Sequence, residues 1–154
     1  MTLADDSTTR VREEGLIILT KFLKKLPDKT LRDTGLSKVF EDAIFPTLSY
    51  LPSLTPEDES IQLLVPAFEA LRCLASKQLS ATVTKNNTAT ALTSNQQQTK
   101  LLDKIFREGL FTAYFHAKDH IRIVEVLCQQ TVFILDQMGI YAVKHLKVRP
   151  TLTQ

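Results

Sequence analysis

Tryptophan is absent from this 154-residue chain, and glycine occurs only four times. So few glycines argue against folds built on many tight turns and on glycine-rich phosphate loops. Cysteine is scarce too. Cys73 and Cys128 stand far apart, each inside an apolar helical pattern. Two buried, reduced thiols in an intracellular setting are expected rather than a disulfide framework. No charge of one sign dominates, since 19 basic residues face 17 acidic ones for a formal net charge of +2. That balance gives no reason to expect a nucleic-acid or polyanionic partner. No stretch approaches eighteen apolar residues, so no membrane span is expected. The opening MTLADDSTTR lacks the basic and apolar regions of a secretory signal.

What is present is helical periodicity. A hydrophobic content of 44% suffices for one core, and the length fits one domain. Val11, Gly15, Ile18, Leu19, Phe22 and Leu26 recur at three- and four-residue spacing, which predicts a first helix from Asp6 or Ser7 to Leu26. Gly15 on that stripe suggests a close helix approach. Asp28 to Asp33 fits one short turn. A second long helix is expected over Leu36 to Leu51, kinked or divided at Pro46, where a backbone donor is lost. Thr55 reads as an N-cap, Pro56 as the first helical residue, and Glu57, Asp58 and Glu59 as complements to the helix dipole. The third helix then runs to about Gln78 with a broad apolar surface and a second kink at Pro66. A fourth is expected from Asn95–Thr99 to His116. The fifth spans Lys118 to Met138, with Val124, Leu127, Cys128, Thr131, Leu135 and Met138 as its stripe and Gly139 as its C-cap. A last helical segment is expected over Ile140 to Val148. Phe40, Phe68 and Leu127 are expected in the core.

Between the two helical halves, residues 1–79 and 96–154, lies a polar Thr/Asn/Gln-rich stretch, residues 80–95. It loses all apolar period and reads as a loop. No strand signal competes with the helical periods. The fold class is therefore all-α, and a HEAT-like alpha-solenoid segment of stacked helix pairs fits it, with an irregular helical bundle as the alternative.

Chemistry-bearing patterns are thin. His116 and His120 flank Asp119, but Lys118-Asp119 reads as a helix break, and the spacing lacks the glutamate of a zinc-protease helix. Neither cysteine has a base beside it in sequence. No catalytic residue, cofactor or metal is expected. A nucleic-acid-binding helical module is the alternative function, and a small metal-dependent enzyme a further one. Lys144, His145 and Lys147 on the last segment are candidate partner contacts, with a solvated helix end as the plainer reading. Thr55, Pro56 and Gly139 are candidates for setting the turn geometry that shapes a partner-binding surface.

Three stretches carry a family resemblance. They are Asp5-Asp6 with Val11-Arg12 and Gly15-Leu16; Thr34-Gly35-Leu36 through Val39-Phe40, then Leu51 to Ser60; and Ile123 to Leu127 with Leu135, Gly139-Ile140 and Val143 to Lys147. In this order they resemble the Tel-two-interacting protein two family, subunits of the TTT co-chaperone complex. The resemblance implies HEAT-like repeats and a non-enzymatic scaffold. It implies Tel-two and Tti-one family proteins as partners, and indirectly the Hsp90 system and the PI3K-related kinases whose maturation and stability the complex supports. DNA-damage signalling and telomere maintenance would follow. A cytoplasmic and nuclear location is expected. Family members are longer, so a C-terminal domain or shortened chain is expected here.

Overall fold

The computed structural model describes residues 2–80 and 88–143. Among them all regular structure is helical. Helix α1 spans Thr2–Lys25, α2 Asp28–Asp33 and α3 Leu36–Ile44, which tightens into a 3₁₀ segment at Phe45–Ser49. Helix α4 spans Glu57–Ser80 and α5 Thr88–Lys104. A π-helical stretch at Ile105–Phe111 leads into α6, Thr112–Ala117. Helix α7 spans Ile121–Met138 and ends in a 3₁₀ turn, Gly139–Ala142.

Helix α4 is the centre. Leu63, Leu64, Ala67, Phe68, Ala70, Leu71, Leu74 and Ala75 are all fully buried along it. This wide apolar sector is what a helix covered on two sides requires. Each such leucine or phenylalanine stabilises the fold by roughly 1.5–3 kcal/mol. The helix runs through the buried Pro66 without ending. At Pro46, by contrast, α3 gives way to the 3₁₀ segment, as the missing donor predicts.

Tertiary contacts fix the helix directions. Thr9 meets Glu59 and Lys24 meets Glu69, so α1 and α4 run the same way. Asp58 meets Arg122 and Arg72 lies over Phe133, so α7 runs with them. Gln78, near the end of α4, bonds to Ser37 at the start of α3. Phe68, further back along α4, meets Gly109 beside Leu48. The α3 limb therefore runs against α4, and so does the α5-to-α6 limb, whose Gln97 and Lys100 line one recess with Lys77 and Gln78 while Gly109 reaches Phe68.

Several expectations need correction. On α1 the buried line is Thr9, Leu16, Thr20 and Leu23, with Leu19 and Leu26 partly covered. Val11 and Ile18 are 70% and 63% exposed, and Phe22 is 48% exposed with its ring edge against Phe40. A Cβ on Gly15 would meet nothing within 4 Å, so no helix approaches there. The close approach is at Gly109, where a Cβ would lie 3.2 Å from Leu48 Cδ1 and 3.3 Å from Phe68 Cε1. On α7 the buried line is Ile123, Leu127, Gln130, Ile134 and Met138, rotated from the predicted stripe, and Cys128 is exposed. Cys73 is only partly buried, and both thiols are free. Of the expected core residues, Phe68 and Leu127 are buried, while Phe40 is partly buried against the core.

The polar segment is also not wholly a loop. Thr88 to Asn95 belongs to α5, while residues 81–87 lie outside the described residues. Lastly, Ile121–Ala142 is long and apolar enough, by length and composition, to cross a membrane. It nevertheless carries Arg122, Glu125 and Asp136, and its buried line packs into the same core as α4.

Candidate partner-binding site

The turn from Leu51 to Ser60 is held by its own backbone. Leu54 and Thr55 N–H groups both donate to Leu51 O, at 2.8 and 2.9 Å. The first α4 bond runs from Ser60 N–H to Pro56 O, at 2.9 Å. Pro56 thus occupies the N-cap position, one residue later than expected. The buried Thr55 precedes it, and its carbonyl accepts the Ser60 hydroxyl at 3.3 Å. That side-chain bond engages the carbonyl that would otherwise have opened the helix.

The three carboxylates at Glu57, Asp58 and Glu59 suit the positive helix end, and each also reaches another helix. Glu59 accepts from Thr9 Oγ1 of α1 at 2.8 Å. Asp58 accepts from Arg122 Nη1 of α7 at 2.5 Å. Glu57 lies 3.6 Å from His120 Nδ1, at the N-cap of α7. The hydrogen bond from Arg122 to Asp58 raises the guanidinium pKa above its ordinary range. One acidic turn therefore links the starts of α4 and α7 to α1. Sequence spacing could not find these partners, because they lie 50 to 64 positions away.

At the other end of α7, Gly139 caps the helix with φ +52° and ψ −127°, and its N–H donates to Leu135 O. A side chain is strained at such angles, so the glycine is required by the turn. Lys144, His145 and Lys147 lie outside the described residues.

Two apolar flanks stay uncovered. On α1, Val11, Ile18 and Phe22 follow one another around the open backbone of Gly15. On α7, Ile121, Cys128 and Val132 form an exposed line that Glu125 shares, bordered by the partly covered Val124 and Leu135, and Ile140 beyond Gly139 is exposed as well. Apolar surface of this kind marks an interaction site when it is contiguous.

The histidines do not converge. His116 is exposed on α6 against Phe115, while His120 faces Glu57 across the Lys118-Asp119 turn. Among the described residues no group of three or more His, Cys, Asp or Glu could hold a metal ion. Burial pushes the Cys73 thiol pKa upward, which is the reverse of an activated nucleophile.

Comparison with curated proteins and with solved structures finds no match. The model of the Tti2 family matches residues 1–154, the whole chain, and the chain therefore belongs to the Tti2 family.

Proposed function

We propose that this chain is a helical scaffold subunit of a TTT-type complex. In that role it binds Tti-one and Tel-two family proteins and so supports Hsp90-dependent maturation and stability of PI3K-related kinases. Family membership makes it a non-enzymatic protein and supports the scaffold role. The observation that carries the binding reading is the pair of uncovered apolar flanks on α1 and α7. Exposed apolar side chains grouped along one side of a long helix are a common mark of an interaction surface.

The finer architectural reading is a HEAT-like stack. Helices α1, α4 and α7 sharing one direction, with the α3 and α5-to-α6 limbs running the other way, is the alternation that helix pairs need in order to stack. We place the protein in the cytoplasm and nucleus, where such partners would meet it. The acidic turn at Glu57–Glu59 and the glycine at 139 would set the angles at which the flanks are offered. Lys144, His145 and Lys147 remain proposed partner contacts.

Co-purification with a Tti-one family protein tests this reading. The chain should hold that partner at one-to-one stoichiometry, and Ile18→Asp or Val132→Asp should weaken the complex at least roughly tenfold, as expected for a charge placed in an apolar contact. Failure of the parent chain to bind any TTT component would overturn it.

A further inference from the structure

A recess of about 380 Å³ opens between α2, the start of α3, the end of α4 and α5. Its volume falls in the range of small-ligand sites. Five cationic side chains, Arg32, Lys38, Lys77, Lys100 and Lys104, line it against two carboxylates, Asp28 and Glu41. The whole chain is nearly neutral, so this excess is local.

Most of these charges are already committed. Lys77 pairs with Asp28 at 3.0 Å and donates to Leu26 O at 3.0 Å. Lys104 pairs with Glu41 at 2.8 Å and lies over the Phe45 ring. Lys38 reaches Asp42 at 3.0 Å and Glu41 at 3.6 Å. With both lining carboxylates engaged, Arg32 and Lys100 remain, among the described residues, as the cations free to meet a ligand. Arg32 Nε is shielded from solvent and has no hydrogen-bond partner among the described residues. A buried donor of this kind costs stability until something accepts from it.

The backbone adds to the same field. Gly35, in the left-handed conformation at φ +66°, starts α3 without a side-chain cap, and both Gly35 and Ser37 line the recess. The first amides of α3 thus contribute the positive end of a helix where the cations converge. Gln78 donates from Nε2 to Ser37 Oγ at 2.6 Å, and its Oε1 is buried without a partner among the described residues. An acceptor therefore belongs to a residue lining the same recess as the donors. A single carboxylate would leave part of the cationic excess unmatched. A phosphate monoester carries close to two charges and several acceptor oxygens. On a polypeptide side chain it also has a backbone N–H nearby, which Gln78 Oε1 could accept.

We propose that this recess binds the phosphate group of a phosphorylated polypeptide side chain. The test is a titration of the intact chain with O-phospho-L-serine, L-serine and inorganic phosphate, followed by amide NMR. O-phospho-L-serine should shift the amides of Gly35, Leu36, Ser37 and Lys100 saturably, and L-serine should not. Arg32→Gln and Lys100→Gln should each weaken binding roughly tenfold. Lys25→Gln, outside the recess, should leave it unchanged. Lys100 is exposed, so its variant carries the test if Arg32→Gln fails to fold. Shifts scattered over surface lysines, or affinity indifferent to both variants, would overturn the site. Inorganic phosphate binding as tightly as O-phospho-L-serine would overturn the side-chain source.

Discussion

Gly109 and Phe68 stand so close that a Cβ on the glycine would lie 3.3 Å from the ring. The π-helical stretch Ile105–Phe111 brings this glycine to the fully buried phenylalanine of α4, with Leu48 at its other side. Gly109→Leu should therefore overpack the core and lower stability by about 1–3 kcal/mol. Gly109→Ala should cost less, because it adds only the Cβ, at 3.2 and 3.3 Å from side-chain atoms of Leu48 and Phe68. Urea unfolding of the two variants checks this order, and a Leu variant as stable as the parent would contradict it.

Phe68 and Phe40 should part company on truncation. Phe68→Ala should cost about 3–5 kcal/mol, since the ring is completely enclosed. Phe40 is only partly buried and meets the half-exposed Phe22 edge-on, at 6.1 Å between centroids. Its truncation should cost clearly less. Equal losses in matched denaturation curves would mean that the α1–α3 contact is tighter than its exposure indicates.

Gly15 and Gly139 should respond oppositely to alanine. At Gly15 there is open space and ordinary helix, so alanine should stabilise by up to about 1 kcal/mol. At Gly139 the positive φ makes any side chain strained, and the loss should be about 1–3 kcal/mol. Gly139→Val should in addition weaken partner binding, by re-aiming the exposed Ile140. Calorimetry on the three variants, with titration against a Tti-one family protein, separates strain from contact.

The thiols make a kinetic prediction. Cys128 is exposed and Cys73 is partly buried, with burial pushing its pKa upward. Below its raised pKa the Cys73 thiol stays protonated and unreactive, so the difference should be largest near neutral pH and narrow as the pH climbs. One thiol should react with a maleimide quickly and one slowly. Cys128→Ser should remove the fast phase. Its survival in that variant would contradict the placement of α7.

The long elements were legible because they rest on local signals. Pro46 ends α3, the acids at Glu57–Glu59 open α4, and Gly139 closes α7. The faces were less legible. In α1 and α7 the apolar sector is wider than the part that neighbours cover, so periodicity pointed at Val11, Ile18 and Cys128, while packing chose Leu16, Leu23 and Ile123. The start of α5 was hidden for another reason. Its Thr and Asn residues are weak helix formers, and no apolar period offsets them. Glu59 with Thr9 and Asp58 with Arg122 join distant segments that no local pattern connects. The recess at Arg32 and Gln78 likewise exists only once four segments meet.

The ion pair of Asp58 with Arg122 is exposed at both ends, so it should act on orientation more than on stability. Arg122→Gln should leave the melting temperature almost unchanged, and any small shift should vanish in high salt. If this pair holds the start of α7 in register with α4, the same variant should broaden the amide resonances of residues 120–124. A large salt-independent loss of stability would instead make Arg122 a packing residue.

If the uncovered flanks of α1 and α7 bind a protein partner, isothermal titration against a Tti-one family protein shows it most directly. The parent chain should bind one-to-one, while folded Ile18→Asp and Val132→Asp variants, altered at residues 63% and 67% exposed, should bind at least roughly tenfold more weakly with unchanged melting temperatures. Both variants binding with parental affinity would contradict the account.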